Sequence, residues 1–364
     1  MVDLRKQNIS TSTSIMLDVQ RIVAALVVLV FHVSSQWTTA YPATHEALGK
    51  ASHAAVVVFF VISSYVIAFT TSGNNRGPQQ YAIARLSRLY SVLVPALVVT
   101  ALVEFVVVRS DAFLTVRYVR EYSWLRYVLS AFFGNEAGLL SAAPPLNSPL
   151  WSLSYEFWYY LIYGLWFYRA ANRKTWWWLA AASLIAGPKI LLLMPIWLCE
   201  VWAFRLPKPG LVVRYGWVLV GLFLLLAGLA VAYLPALPGA VGAAPLFMTA
   251  QFATDWVVGG LVGLAIWSLP GGHPALSHGW VKPLRRAADL SFPLYVLHFP
   301  LIVLWRVVFG WRVNDLQQMW QVVLGVGLVA GGLGVLFENQ RPRWIRFFEW
   351  LLHSINSARA AGGK

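Results

Sequence analysis

Residues 17–32 read Leu17-Asp18-Val19-Gln20-Arg21-Ile22-Val23-Ala24-Ala25-Leu26-Val27-Val28-Leu29-Val30-Phe31-His32, an apolar run whose polar members cluster at its two ends. Extended to Gln36, the run is long enough to cross a hydrocarbon layer, which takes about 20 residues rising 1.5 Å each. Arg21 and His32 stand eleven positions apart. At 100° per residue that spacing falls about 20° past three full turns, so the two share one helix face, roughly 16 Å apart along the axis. An ionisable group at membrane depth is costly and normally faces a cavity or a partner. A guanidinium and an imidazole on one face mark a polar path through a helical bundle, or else an arginine snorkelling to the inner headgroups and a histidine at the outer ones.

The rest of the chain agrees with a membrane setting. Apolar residues make up 59% of the 364 and charged residues 12%, with a mean hydropathy of +0.64. A soluble domain carries about twice that share of charge, so lipid must take up the excess apolar surface. The 19 Trp and 15 Tyr suit aromatic belts at both interfaces. The net charge of +14 is not one patch. Its Lys and Arg recur in short clusters between apolar runs, the pattern of cytoplasmic loops, and no nucleic-acid partner is expected. Cys199 is the only cysteine, which excludes an intrachain disulfide. The sequence shows no zinc-ligand spacing, Gly-rich phosphate loop or internal repeat, so no metal and no tightly bound cofactor are expected.

Ten stretches are apolar enough to span: 15–36, 52–71, 84–108, 149–168, 175–187, 189–204, 213–233, 246–268, 288–309 and 319–338. The expected fold is an all-α polytopic transmembrane bundle of about ten spanning helices, one domain over residues 1–364. The fifth and sixth stretches meet at Gly187-Pro188, as a helical hairpin or as one broken segment. Basic clusters at Arg5/Lys6, Arg76 with Arg85/Arg88, Arg169/Arg173/Lys174, Arg205/Lys208/Arg214, Lys282/Arg285/Arg286 and from Arg341 to Lys364 put both termini inside. The first run follows Arg5 and Lys6 without a cleavage site and is expected to stay as a helix. Residues 109–148 form a long extracytoplasmic loop with one or two amphipathic helices along the outer surface, and 339–364 a basic cytoplasmic tail. Ser148 as N-cap and Pro149 at the first helical position mark the fourth helix start.

Other polar groups fall at membrane depth. Ser63 and Ser64 in the second run suit close helix packing as well as a site. Arg85 and Arg88, at i and i+3, share a helix side that anchors to headgroups or grips phosphate oxygens. Glu156 follows Trp151, Ser154 and Tyr155 at a depth similar to that of His32, as its orienting carboxylate or in a structural ion pair with an arginine. His298, after Tyr295, lines a cavity or bonds backbone freed by Pro300.

Together these motifs resemble the acyltransferase-3 family of integral-membrane O-acyltransferases. The likeness spans Asp18 leading into Arg21-x10-His32, the Phe59-Phe60-Val61-Ile62-Ser63 run, Arg85-x-x-Arg88, Trp151-Ser-Leu-Ser154-Tyr155-Glu156, Ser291-x-x-Leu294-Tyr295-x-Leu-His298, and Glu338 near Arg341-Pro342. Ser63-Ser64 stands where the family commonly has Ser-Gly, and Glu156-Phe157 where it has Glu-Glu. The resemblance implies a single-domain enzyme of the bacterial inner membrane. It would move an acetyl or other short acyl group from cytoplasmic acyl-CoA, usually acetyl-CoA, to a hydroxyl of an exported glycan or lipid-linked oligosaccharide. His32 and Glu156 would be catalytic, and Arg21, Arg85 and Arg88 would hold the donor. Asp18, Ser63, Trp151, Ser154, Tyr155, Tyr295 and His298 would line the cavity. The competing reading is a transporter or flippase for a lipid-linked sugar, which should show inverted-repeat halves; the sequence has none.

Overall fold

The computed structural model describes residues 11–73, 77–270 and 278–362. Arg5, Lys6, Arg76 and Lys364, part of the charge argument, lie outside the described residues. The described chain is all-α. Its helices are α1 (Thr11–Trp37), α2 (Pro42–Gly73), α3 (Pro78–Ser110), α4 (Ala112–Tyr118), α5 (Ser123–Ala131) and α6 (Trp151–Phe167). They continue with α7 (Thr175–Ala203), α8 (Gly210–Tyr233), α9 (Phe252–Ser268), α10 (His278–Phe309), α11 (Leu316–Glu338) and α12 (Arg341–Gly362).

Seven of these, α1, α2, α3, α7, α8, α10 and α11, are long and apolar enough to cross a membrane, making this a multi-pass membrane protein. The ten expected spans are not ten long helices. The fourth and eighth stretches become the 17-residue α6 and α9, each about 25 Å long against a core of about 30 Å. The fifth and sixth are the two limbs of α7, separated at Gly187 (φ 77°, ψ −179°), so the full length of α7 is not one straight crossing helix. A side chain is excluded there, because a Cβ would come within 2.4 Å of Gly138 Cα. Near one end of α7, Arg169 lies over Trp176. Beyond the other, Arg205 reaches the Tyr163 hydroxyl at 3.5 Å. Both termini thus lie beside the same end of α6. Gly187 lies at the opposite end, where Thr249 joins the Tyr155 hydroxyl to the Lys189 carbonyl. The chain reverses at this glycine.

Two local expectations are corrected. Ser148 is not an N-cap: a 3₁₀ turn over Pro145–Leu150 precedes α6, and Leu150 precedes Trp151 without a side-chain cap. Asn147 breaks the turn (φ −146°) because its amide bridges Thr100 Oγ1 on α3 and the Val296 carbonyl on α10, both at 3.0 Å. Nor does α5 lie across the end of the bundle. Ser123 and Tyr127 donate to Glu104 of α3 at 2.6 and 2.7 Å, and the Tyr90 hydroxyl donates to the Ala131 carbonyl at 3.0 Å. Glu104 and Tyr90 are fourteen residues apart, roughly 21 Å of helix, so α5 descends lengthwise beside α3.

Irregular backbone at that depth persists only if the protein satisfies its polar groups. The Phe133 carbonyl accepts from Ser154 Oγ (2.6 Å) and Trp158 Nε1 (3.0 Å) of α6. Lys189, fully buried on α7, pairs with Glu136 at 2.6 Å and also donates to the Leu140 carbonyl. This ion pair ties the dipping segment to the Gly187 reversal. Lys189→Met should lower the thermal midpoint in detergent by leaving Glu136 buried and uncompensated, a cost of about 3–5 kcal/mol. The double variant with Glu136→Gln should recover most of that loss in the same fluorescence melt; equal midpoints for single and double variants would show that the pair does not hold this segment.

Candidate active site

Five helices, α1, α2, α3, α6 and α10, surround a narrow cavity of about 50 Å³. Its walls carry Arg21, Ser63, Arg88, Ser152, Glu156 and Tyr295. On α6, positions 152, 153 and 156 fall within one 100° arc, which is why Ser152, Leu153 and Glu156 all face it. Ser63 Oγ donates to Glu156 Oε1 at 2.8 Å, and the Tyr160 hydroxyl donates to the same oxygen. Ser63 and Tyr160 also lie 2.8 Å apart, so two hydroxyls clamp one carboxylate oxygen. Among the described residues, no carboxylate comes within ion-pair distance of Arg21 or Arg88. Two guanidiniums that share the cavity with Glu156 but form no direct ion pair make the pocket a place for anionic or carbonyl oxygens.

A second, roomier cavity of about 660 Å³ opens beyond it, with His32, His45, Lys50, His53, Trp151 and Gln251 in its walls. Val56 and Tyr295 line both cavities and form the partition between them. The Tyr295 hydroxyl accepts from Ser152 Oγ (2.8 Å) and donates to the Pro149 carbonyl (3.1 Å), and its ring packs against Phe59 at 5.6 Å. Uninterrupted α1 carries Arg21 into the narrow cavity and His32 into the wide one, as their spacing requires.

The bonds of the His32 ring fix its tautomer. Nδ1 lies 2.9 Å from the Val28 carbonyl, so that nitrogen carries the hydrogen. The same Nδ1 lies 3.3 Å from His298 Nε2, while His298 Nδ1 lies 2.6 Å from the Tyr295 carbonyl. A consistent chain follows: His298 donates to Tyr295 through Nδ1 and accepts from His32 through Nε2. The lone pair of His32 is left at Nε2, for which no protein partner stands among the described residues. An imidazole so held is equipped to take a proton from a hydroxyl.

The structure does not bring His32 and Glu156 together. Their similar depth does not give them a common azimuth: Glu156 turns to Ser63 and Tyr160, and His298 takes the place at His32. Arg85 and Arg88 also part company, because i and i+3 stand about 60° apart around a helix. Arg88 enters the narrow cavity, whereas Arg85 faces a separate apolar groove of about 480 Å³ between α3 and α6. There Arg85 donates to Thr70 Oγ1 at 2.6 Å and lies over the Tyr81 and Tyr160 rings.

Of the expected lining residues, Ser63, Trp151 and Tyr295 face cavities. Ser154 and Tyr155 are buried against Phe133 and Thr249, on the other sides of α6. Asp18 lies 3.9 Å from Arg285 rather than in a cavity wall, and His298 sits behind His32. The sequence reading missed Tyr160, although it stands one turn beyond Glu156, a spacing that places the pair together. It also missed Lys50, Gln251 and the cavity role of His53.

A family model described as an acyltransferase domain, that of the acyltransferase-3 family, matches residues 15–338. No curated protein sequence and no solved structure matches the chain.

The clamp on Glu156 sets an expectation of its own. Ser63→Ala and Tyr160→Phe should each cost about 1 kcal/mol of stability in detergent. Because both bond one oxygen, the double variant should lose measurably more or less than the sum in a double-mutant cycle. Strict additivity would show that the two hydroxyls do not act as a unit.

Proposed function

The chain belongs to the acyltransferase-3 family of membrane acyltransferases, and from that premise we propose that it carries acyl groups from one side of the membrane to the other. The donor is acyl-CoA, acetyl-CoA foremost, entering at the Arg85–Arg88 end. The acceptor is a hydroxyl of an exported or cell-surface glycan, or of a lipid-linked oligosaccharide, in the wide cavity. The membrane is the bacterial inner membrane, with the arginine end cytoplasmic. The observation that carries the reading is the His32 ring: its Nδ1 is held by Val28 and His298, and its Nε2 lone pair is left for the wide cavity.

The step follows from that geometry. The acceptor hydroxyl gives its proton to His32 Nε2 while its oxygen attacks the thioester carbonyl carbon. The tetrahedral intermediate collapses, the C–S bond breaks, and the coenzyme A thiolate leaves with the proton returned by the imidazolium. His298 is a positioning residue that keeps His32 Nδ1–H as a donor throughout. Arg21 and Arg88 face the donor's anionic groups and developing negative charge, and Glu156, clamped by Ser63 and Tyr160, holds that pocket in register. Arg85 meets donor phosphate from the groove side. Because Tyr295 and Val56 divide the cavities, the ring of Tyr295 must swing aside for the acyl group to reach His32.

Purified protein in detergent, given radiolabelled acetyl-CoA and simple methyl glycosides, should form an ester-linked sugar. His32→Ala should remove at least about a hundredfold of that rate with its elution profile unchanged. Arg88→Ala should raise the acetyl-CoA KM more than the acceptor KM. Full activity of His32→Ala would overturn the base assignment, and an unchanged donor KM in Arg88→Ala would overturn the donor pocket.

A further inference from the structure

The wide cavity holds a second imidazole that the step above does not use. His53, on α2, places Nε2 2.9 Å from Asp255 Oδ2 on α9. The other oxygen of Asp255 accepts from Gln251 Nε2 at 2.9 Å, and the carboxylate is almost fully buried. A carboxylate so placed accepts, so His53 donates through Nε2 and Nδ1 is the ring nitrogen left to a ligand. The ring lies parallel to Trp151, with centroids 6.3 Å apart and planes within 10°, which fixes its orientation.

A mere tie between α2 and α9 explains the bond to Asp255 but not the free nitrogen. His32 and His298 both turn Nδ1 onto a carbonyl of their own helix. His53 Nδ1 has no hydrogen-bond partner among the described residues, and the side chain lines the cavity. Lys50 pairs with Glu46 at 3.0 Å, and both oxygens of Asp255 already accept a hydrogen bond. Besides His45 in the same wall, the cavity thus offers a ligand two ring nitrogens left over from fixed rings, His32 Nε2 and His53 Nδ1. Two such hydrogen-bonding nitrogens in one cavity suit a molecule bearing at least two hydroxyls.

We infer that His53 binds a second hydroxyl of the same sugar whose first hydroxyl is acylated at His32, with Asp255 and Gln251 as its positioning residues. This rests on the acyl-transfer reading and adds a specificity-determining contact to it. A site built to bond a hydroxyl rejects an analogue that lacks it, because its own polar group is then left unpaired.

The test uses the full chain in detergent with acetyl-CoA and methyl glycosides, each accompanied by its monodeoxy derivatives. For the wild type, removing one hydroxyl other than the acetylated one should lower kcat/KM by about tenfold or more. In His53→Ala that same removal should cost less than about twofold, and the KM of the intact glycoside should rise about tenfold while the acetyl-CoA KM stays put. Asp255→Asn, close in shape and therefore a check should His53→Ala fail to fold, should weaken the deoxy penalty in the same direction. An undiminished penalty in both variants overturns the inference and leaves the acyl-transfer reading standing. Reduced yield of folded protein with unchanged KM and penalty marks a helix tie and also overturns it. Failure of the wild type to acetylate any glycoside removes the carbohydrate reading, and this inference with it.

Discussion

Hydrocarbon offers no partner to a polar group, so each one carried into it must be satisfied by the protein itself. The architecture answers that constraint at α1, where Arg21 and His32 ride one unbroken helix. Their fixed separation requires two polar chambers at different depths. The packing of α2, α3, α6 and α10 around α1 supplies the lower one, and the mouths of α1 and α2 with the 235–251 segment supply the upper. The dipping segment before α6 obeys the same rule. Its carbonyls, and a carboxylate, are met by Ser154, Trp158 and Lys189.

The partition gives the arrangement its chemical logic. In the proposed reaction a continuous aqueous passage would expose the donor thioester to hydrolysis and the membrane to leak. Tyr295, held by Ser152 and Pro149, closes the narrow chamber from the wide one with groups that need only two hydrogen bonds exchanged to release it. In that proposal, water exclusion also strengthens the pull of Arg21 and Arg88 on developing negative charge. In the upper chamber the rings of His32 and His53 are oriented by the Val28 carbonyl, by His298 and by Asp255, a setting suited to hydroxyl chemistry.

What the sequence made legible was local. The eleven-residue spacing in the first run depends only on helix periodicity, and it holds. So does the break at Gly187-Pro188, since a positive φ and a proline mark it without reference to neighbours. Misjudged features depend on how helices rotate against one another. Glu156 and His32 have similar depth, but azimuth decides partners, and His298 arrives from a helix 266 residues away. Arg85 and Arg88 look like a pair along the chain, yet the 60° between them separates a groove from a cavity. The descent of α5 was hidden because Glu136 resembles any loop carboxylate until Lys189 is found inside an apolar run. That lysine is the one signal of the descent that the sequence carries.

The central claim is that donor and acceptor meet from opposite faces of one bundle, through the chambers that α1 links. Proteoliposomes with the protein in a single orientation test it directly, with acetyl-CoA confined to one compartment and a membrane-impermeant glycoside to the other. The account predicts ester-linked glycoside in the compartment without acetyl-CoA, when the arginine end faces the donor. Product formed only when both substrates share a compartment would contradict it.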